Sequence, residues 1–245
     1  MPSSPSRRAE LERLGERPFA HRGLHGPERP ENSRAAFEAA IAGGFGIELD
    51  VQIAGDGTAI VFHDYELDRL TGSTGRVADL TGEALAGLRL LGTAETIPVL
   101  ADVLTLIAGR VPLLIEVKSP DRHVVPLCRA VARALEGYAG AVGIMSFNPE
   151  VGRWFARHAP GRLRGLVVTE SGKRGLRGRL ERAFSFRRAH ADFLAYDVRD
   201  LGSAFAVRKR RAGVPVFTWT VRTAEDRARA AAQADQIIFE EAAPA

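Results

Sequence analysis

Cysteine is nearly absent from this sequence, since Cys128 is the single one among 245 residues. An intrachain disulfide is therefore impossible, and the cysteine clusters of structural zinc or iron–sulfur sites are excluded. A chain of this length buries enough surface to fold without such crosslinks. We expect Cys128 to be a small buried residue on a helix and not a catalytic thiol.

Long apolar runs are also lacking. No run approaches the ~18–20 residues that a membrane-spanning helix needs. The N-terminal segment has an arginine pair, Arg7 and Arg8, but it lacks the apolar stretch that follows such a pair in a secretory signal. These absences predict a soluble, cytoplasmic protein.

Lysine is scarce, because arginine accounts for 31 of the 34 basic residues. The net charge of +4 is unevenly distributed, and residues 173–211 contain twelve basic and four acidic residues. Such a stretch suits an anionic partner such as a phosphate, a lipid headgroup or a nucleic acid. Arginines interleaved with alanine and leucine are more typical of solvated helix faces. We therefore expect no nucleic-acid partner and at most weak contact with a membrane surface.

Internal repeats, low-complexity tracts and long Gly/Ser linkers are absent as well. Hydrophobic residues make up 45% and charged residues 26% of the chain, which is ordinary for a globular protein. Barrels of this length are often single domains. We predict that residues 1–245 form one domain, and the sequence leaves the oligomeric state open.

Nine short apolar runs, several of them rich in Val, Ile and Phe, predict strands. They cover residues 19–21, 45–53, 59–63, 113–117, 142–147, 163–168, 193–198, 216–221 and 236–239. Helical patterns lie between most of them, which indicates parallel βαβ units. The link between the second and third runs is too short for a parallel crossover, and its Asp56-Gly57 pair favours a tight turn. These two runs therefore predict a hairpin.

Eight parallel strands then remain, and this count predicts a TIM (β/α)8 barrel, whose typical size is about 250 residues. An open doubly wound sheet is the alternative, although no Gly-x-Gly-x-x-Gly follows a strand. Helices are predicted from an Asn32-Ser33 N-cap to Gly43-Gly44, from Pro98 in a first turn onward, and in 121–136, 149–158, 203–212 and 223–233. Residues 64–97 predict a small insertion over one end of the barrel, with a helical turn near 82–88.

Three carboxylates fall where a barrel builds its active site, at the C-terminal ends of strands. Glu48 and Asp50 share one strand face because residues two apart point the same way, and Glu116 and Lys118 repeat this spacing on another strand. Bare carboxylates on a buried face repel each other and raise a pKa, and a divalent cation removes that cost. Oxygen ligands select Mg²⁺ or Ca²⁺ rather than zinc. We predict such an ion at Glu48, Asp50 and Glu116, with separate salt bridges as the alternative.

Two histidines, His21 and His63, each end an apolar run. Facing each other across a site, they would act as general acid and base near neutral pH; otherwise they are structural. Arg22 is suited to hold an anionic oxygen. A metal ion, two histidines, an arginine and a lysine together fit phosphodiester cleavage, because cations neutralise the charge that grows on the phosphate while histidines move protons.

Short segments follow one another in a specific order from residue 19 to residue 221. They are His21-Arg22-Gly23, Pro30-Glu31-Asn32-Ser33 before Phe37, Glu48-Leu49-Asp50-Val51, Asp56-Gly57 before Val61-Phe62-His63-Asp64, Leu67-Asp68-Arg69-Leu70-Thr71 before Gly75, Ile115-Glu116-Val117-Lys118, Ser146-Phe147 and Trp219-Thr220-Val221. This ordered set resembles the glycerophosphodiester phosphodiesterase family. Each segment alone is weak, but the set is highly specific.

The resemblance implies a TIM-barrel phosphodiesterase that hydrolyses glycerophosphodiesters to an alcohol and glycerol 3-phosphate. The roles it implies are metal ligands for Glu48, Asp50 and Glu116, an acid–base pair for His21 and His63, phosphate binding for Arg22 and Lys118, and substrate contact for Phe147 and Trp219. Likeness to phospholipase C-type barrels further implies attack by the substrate's own 2-hydroxyl to give a cyclic phosphate. Direct attack by water is the rival route.

Two positions depart from the family pattern. Arg222 stands where an asparagine usually follows Trp-Thr-Val, and Glu240 stands where the last strand usually supplies an aspartate. Two other functions stay open. One is a lysophospholipase D-like activity on lipid phosphodiesters, which an apolar slot at the mouth would favour. The other is a non-catalytic basic module that binds an anionic membrane or nucleic acid.

Overall fold

The strands of the computed structural model, which describes residues 5–241, form a single sheet. They are β1 Phe19–Ala20, β2 Gly46–Ile53, β3 Ala59–Val61, β4 Leu113–Val117, β5 Val142–Ser146, β6 Leu163–Val168, β7 Phe193–Asp197, β8 Val216–Val221 and β9 Gln236–Phe239. Their order is β1-β9-β8-β7-β6-β5-β4-β2-β3, and β1 also pairs with β2. Every pairing except β2 with β3 is parallel, so the other eight strands close into a ring. The (β/α)8 barrel and the β2–β3 hairpin predicted from the sequence are both confirmed.

Helices lie between most of the strands. They are α1 Pro5–Leu14, α2 Arg34–Ala42, α3 Asp68–Thr71, α4 Gly82–Ala86, α5 Leu100–Ile107, α6 Val125–Ala134, α7 Pro149–His158, α8 Leu176–Arg188, α9 Ala204–Arg211 and α10 Ala224–Gln233, with 3-10 turns at Val77–Asp79 and Val198–Asp200. The pattern at 149–158 predicted α7 with the bounds that the structure has. Helices α1 and α8 were not predicted, because both are rich in arginine and low in apolar residues.

The prediction that Pro98 lies in the first turn of a helix is wrong. Helix α5 begins at Leu100, with Val99 as its N-cap. The Pro98 carbonyl instead accepts a hydrogen bond from the Val61 N–H at 2.8 Å. Val99 also forms a bridge with Ile60 of β3. The backbone therefore continues the edge of the hairpin before it turns into the helix.

The amino-terminal end of the barrel is filled by large apolar side chains. Phe19, Phe193 and Phe217 form one buried cluster there, and Leu11 and Leu14 of α1 belong to it. Gly165 makes room for this packing, because a Cβ at that position would lie 2.3 Å from the Phe193 ring. The polar side chains that point into the barrel therefore lie at the opposite end, where the strands finish.

The insertion at 64–97 has a small apolar core of its own. Its helices α3 and α4 contribute Leu70 and Leu85, which pack with Ile60 of β3. The predicted helical turn near 82–88 is confirmed as α4. The insertion reaches the barrel through Arg69, which donates to Glu31 at 2.7 and 2.9 Å.

Cys128 is a buried free thiol on α6, as predicted. Within residues 5–241, no helix combines the length and apolar character needed to cross a membrane. The basic stretch 173–211 covers α8, β7 and α9, and most of its arginines are solvated. Arg182 does not follow that expectation. It is buried and lies 2.9 Å from Glu170, because its side of α8 faces the barrel.

Candidate active site

The carboxyl ends of the barrel strands surround a polar cavity of about 450 Å³. Eight of the nine predicted site residues line it, namely His21, Arg22, Glu48, His63, Glu116, Lys118, Phe147 and Trp219. The ninth, Asp50, is buried beside Glu116, because the register of β2 and β4 pairs these two residues. The structure thus brings all the predicted residues together in one place.

Three carboxylates form the centre of this site. Oxygen atoms of Glu48, Asp50 and Glu116, one from each residue, all lie within 4.8 Å of one another. Glu48 and Asp50 point to the same side of β2, and Glu116 comes from the neighbouring strand. Burial, followed by the charges of Asp50 and Glu116, raises the pKa of Glu48 well above its ordinary value. Burial also raises the pKa of Glu116.

The carboxylate cluster fits a hard divalent cation. Glu48 Oε2 accepts a hydrogen bond from the Arg22 backbone N–H at 3.2 Å, but Glu48 Oε1 is buried and has no hydrogen-bond partner among the described residues. A buried carboxylate oxygen without a partner is costly, and a cation would supply that partner.

Two cations of the protein balance part of the negative charge. Lys118 Nζ lies 3.0 Å from Glu116 Oε1 and 3.5 Å from Asp50 Oδ1. Arg22 Nε lies 3.2 Å from Asp50 Oδ2. Burial alone would raise the pKa of Asp50, but Lys118 and Arg22 lower it below its ordinary value. The nearby cations therefore balance the negative charge of Asp50 more fully than that of Glu48.

Asn32 also fixes the orientation of Asp50. Its side-chain amide donates to Asp50 Oδ2 at 3.0 Å, and its Oδ1 accepts from the Asp50 backbone N–H at 3.3 Å. Asn32 adopts a left-handed backbone conformation, with φ of 57°. The N-cap of α2 is Ser33 alone, whose side chain accepts from the Ala36 N–H. The Asn32-Ser33 pair predicted as a cap thus divides into a cap and a support for the site.

His21 is held by two residues from the far end of the chain. Its Nδ1 lies 2.6 Å from Glu240 Oε1, and Arg222 donates to both Glu240 oxygens at 2.6 and 2.9 Å. Burial would raise the pKa of Glu240, but these hydrogen bonds lower it to about 2. An ionised Glu240 only accepts, so His21 donates from Nδ1 and leaves Nε2 for the cavity. His21 Nε2 is 3.9 Å from Glu48 Oε2.

His63 is held in the same way by its neighbours. Its Nδ1 lies 2.6 Å from Asp64 Oδ1, and Arg69 donates to Asp64 Oδ2 at 2.5 Å. Burial would raise the pKa of Asp64, but the hydrogen bonds from Arg69 and His63 lower it to about 2. His63 therefore also donates from Nδ1 and presents Nε2. Each histidine has its own carboxylate and its own arginine.

The rim of the cavity is aromatic. Phe147 and Trp219 meet edge to face, with ring centroids 5.6 Å apart, and Trp219 is fixed by a hydrogen bond from Nε1 to the Ala195 carbonyl at 2.9 Å. Phe147 is 46% exposed. An outer cavity of about 900 Å³ shares His63 and Phe147 with the inner one, so the site opens past these aromatic side chains.

Sequence reasoning missed several residues that support the site. Glu31 joins the two sides of it, because Arg22 and Arg69 both donate to its carboxylate. Glu31 and Arg69 stand inside the segments that carried the family resemblance, and this was the available signal. The partnership between Arg222 and Glu240 was not foreseen, although both had been singled out as departures from the family pattern.

The fold and the polar centre at the carboxyl ends of the strands together define an enzyme of the (β/α)8 barrel class. A profile of the Glycerophosphoryl diester phosphodiesterase family matches residues 21–241. The chain belongs to this family.

A relative that covers most of the chain agrees with that assignment, and a solved structure shares the fold. The chain is 32% identical over 225 residues to a glycerophosphodiester phosphodiesterase of Caldanaerobacter subterraneus, with 86% of this chain and 88% of the relative covered. It is 42% identical over 107 residues to a glycerophosphodiester phosphodiesterase of Bacillus altitudinis, where the match spans 41% of this chain and 43% of the relative. An Oleispira antarctica phosphodiesterase, solved in complex with the product sn-glycerol-3-phosphate, shares the fold with a TM-score of 0.79, 23% identity and 91% coverage of both chains.

Proposed function

We propose that this protein is a divalent-cation-dependent phosphodiesterase that hydrolyses small glycerophosphodiesters to an alcohol and glycerol 3-phosphate. The observation that carries the proposal is the buried carboxylate cluster, with its unpartnered Glu48 oxygen, between two histidines that are each oriented by a carboxylate. Family membership supports it, as does the relative solved with sn-glycerol-3-phosphate. Such a reaction belongs to lipid and glycerol metabolism.

Glu48, Asp50 and Glu116 would hold the cation, which is Mg²⁺ or Ca²⁺ in this proposal. When bound, the cation supplies charge that stabilises the phosphoryl oxygens in the transition state. Asn32 keeps Asp50 in place for this role through its two hydrogen bonds.

Lys118 and Arg22 bind the phosphate in this scheme. Lys118 Nζ lies at the wall of the cavity, where it contacts Glu116 at 3.0 Å. Once the carboxylates are balanced by another positive charge, Lys118 is available for a phosphate oxygen. Arg22 lines the same cavity but is committed to Glu31 at 2.7 Å and to Asp50 at 3.2 Å. Arg22 therefore contributes a fixed positive potential more than a mobile contact with the phosphate.

His21 and His63 move the protons. Both donate from Nδ1 to an ionised carboxylate, so both present Nε2 to the substrate. One histidine accepts the proton of the attacking hydroxyl, and the other donates a proton to the departing alkoxide. The attacking group is the 2-hydroxyl of the substrate glycerol, which gives a cyclic phosphate that water then opens. A 2-deoxy substrate analogue lacks this hydroxyl and therefore tests the route. Turnover of the analogue at the normal rate would contradict the cyclic route and favour direct attack by water.

Small substrates suit this cavity better than lipid ones. Ionisable side chains form much of its wall, and the aromatic contact of Phe147 with Trp219 is confined to the rim. A lysophospholipase D-like enzyme would need a long apolar slot at this point. We also propose that residues 1–245 form one domain and that the protein works in the cytoplasm, where its thiol at Cys128 stays reduced.

The decisive experiment is turnover of a panel of glycerophosphodiesters with choline, ethanolamine, glycerol and serine headgroups. The protein is first treated with a chelator, and release of glycerol 3-phosphate is then measured without metal and with added Mg²⁺ or Ca²⁺. We expect release only when a divalent cation is present, and a loss on the order of 10³-fold or more in Asp50→Asn. Absence of release from every substrate with either cation would contradict the activity. Full release after exhaustive chelation would contradict the metal dependence.

A further inference from the structure

Helix α8 presents three large apolar side chains outward, whereas its Phe186 packs against the main apolar core. Leu176, Leu180 and Phe184 are 71%, 64% and 63% exposed. They are spaced four residues apart, so they lie along one face of the helix. We call these three residues the α8 stripe. A surface helix normally turns such a stripe toward the core of its own domain, but the α8 stripe is exposed while Phe186 contacts the core from another face.

Polar contacts hold the opposite face of α8 to the barrel. Arg182 is buried, lies 2.9 Å from Glu170 and donates to the Lys173 carbonyl at 2.8 Å. Gly178 is buried on the same side, where a Cβ would lie 1.9 Å from the Lys173 carbonyl oxygen. The fold therefore does not need the α8 stripe, and an exposed apolar row of this kind marks an interaction surface.

The residues beside the α8 stripe are strongly basic. Arg177, Arg179 and Arg187 are exposed, and none of the three has an ion-pair partner within residues 5–241. The single acid of the helix, Glu181, is paired with Lys173 at 2.6 Å. An apolar row bordered by free arginines is the pattern of a helix that lies in the interface of an anionic membrane.

We propose that the α8 stripe and its three arginines dock this protein on an anionic lipid surface. A second copy of the chain fits this face poorly, because a symmetric contact would place Arg177, Arg179 and Arg187 against their own copies. Lipid headgroups supply the opposite charge, and acyl chains adapt to a convex row of side chains. The sequence predicted at most weak membrane contact, from charge alone, and the α8 stripe adds an apolar contribution.

The docking surface lies near the catalytic mouth. Helices of a (β/α)8 barrel start at the end where the strands finish, and α8 follows β6 in this way. Arg179 lines a cavity of about 410 Å³ together with Arg199. Arg199 also lines the cavity of the candidate active site. Docking would therefore bring that opening close to the membrane. The inference goes beyond the proposed function and does not depend on it.

Vesicle binding tests the proposal with the full chain. Vesicles of phosphatidylcholine are compared with vesicles of phosphatidylcholine and phosphatidylglycerol in equal parts, at about 0.15 M salt. We expect co-sedimentation with the anionic vesicles and little with the neutral ones. The variant L176S/L180S/F184S should lose binding by about tenfold or more. The variant R177Q/R179Q/R187Q should lose roughly 100-fold, since each basic residue near an anionic surface contributes about a factor of five.

Control variants carry changes of the same chemical kind elsewhere on the surface. Leu91 is 56% exposed in the insertion, so Leu91→Ser removes an exposed apolar side chain away from α8. Arg129, Arg133 and Arg157 are exposed on α6 and α7, and R129Q/R133Q/R157Q lowers the net charge by the same amount. Both controls should bind like the wild type. Equal losses in the controls would show unspecific charge attraction and overturn the assignment to α8.

Insertion of the stripe has its own readout. Leu180→Cys places a reactive thiol on the stripe, and a polarity-sensitive fluorophore attaches there selectively because Cys128 is buried. We expect a blue shift of its emission with anionic vesicles. An unchanged spectrum would overturn the proposal even if the protein sediments. Self-association without vesicles that L176S/L180S/F184S abolishes would overturn it in favour of a second copy as the occupant.

Discussion

The two histidines of the site are held by the same kind of support, but the supports come from different parts of the chain. Asp64 follows His63 directly in the sequence, and Arg69 lies five residues beyond Asp64. Glu240 is 219 residues from His21 and follows the last strand of the barrel. The first support forms from local structure. The second requires the barrel to close.

The two histidines also differ in their contact with solvent. The His21 side chain is 12% exposed and that of His63 is 29% exposed. His63 lines both the inner and the outer cavity, whereas His21 lines the inner one. The pair therefore divides into a buried histidine beside the carboxylate cluster and a more open one toward the mouth. Similar geometry around the two histidines therefore does not make them equivalent.

The largest expected effect belongs to the carboxylates between the two histidines. Asp50→Asn should lower kcat/KM on the order of 10³-fold or more, because the cation site and the orientation of Asp50 by Asn32 are lost together. Steady-state turnover of a glycerophosphodiester measures it. The control is Asp102→Asn, which changes an exposed carboxylate whose side chain is 62% accessible. A loss of the same size in the control would point to general destabilisation.

The next largest effect is expected for the carboxylates that bind the histidine Nδ1 atoms. Glu240→Gln and Asp64→Asn should each lower kcat by roughly 10- to 100-fold, the effect typical of a residue that orients a functional group. KM should change little. An amide can donate to Nδ1 and stabilise the wrong tautomer, so Glu240→Asp and Asp64→Glu should recover more activity than the amides. NMR of the ring nitrogens checks the tautomer directly. Normal kcat in both amide variants would contradict the supporting role.

Replacing the arginine that binds each of these carboxylates should distinguish the support of His63 from that of His21. Arg69 binds both Asp64 and Glu31, whereas Arg222 binds Glu240 and is 55% exposed. Exposed ion pairs contribute little, and Arg69 is itself 47% exposed. Arg222→Gln should cost only a few-fold in kcat, and Arg69→Gln about tenfold because Arg69 holds two carboxylates. Replacement of each by lysine should restore part of the loss. A larger effect at Arg222 than at Arg69 would reverse this ranking.

The smallest effect concerns stability at low pH. Hydrogen bonds lower the pKa of Glu240 from its ordinary value of 4.5 to about 2, against the effect of burial. The pKa of Asp64 falls from 3.8 to about 2 in the same way. A carboxylate with a lowered pKa in the folded protein stabilises it above the unfolded pKa, and this is lost as pH falls from about 4.5 toward 2. Urea unfolding should show a shallower decline for Glu240→Gln than for the wild type in this range.

Much of the fold and site could be predicted because the signals were local. Strands showed as short apolar runs, and the spacing of two residues placed Glu48 with Asp50 and Glu116 with Lys118. Distant partnerships gave no such signal. Nothing near His21 identifies Glu240 as its partner, and the pairing appears only when β9 lies beside β1.

Prediction from the sequence also failed where one residue pattern has two physical meanings. Asn32 had the composition of a helix cap, but its side chain holds Asp50. Arg182 belonged to a basic stretch that predicted solvated arginines, but it is buried against Glu170. Helix α8 was missed because it is rich in arginine, so the spacing of four residues between its apolar side chains did not stand out.

The most direct test of the acid–base assignment is to measure kcat for His21→Ala, His63→Ala and the double variant. His123→Ala is the control, because the His123 side chain is 92% exposed. Each single variant should lose roughly 10²–10⁴-fold in kcat with little change in substrate binding. Because an acid and a base act as a unit, the double variant should be scarcely slower than the slower single one. Losses that multiply in the double variant, or a near-normal kcat in either single variant, would contradict the assignment of the two histidines as one acid–base pair.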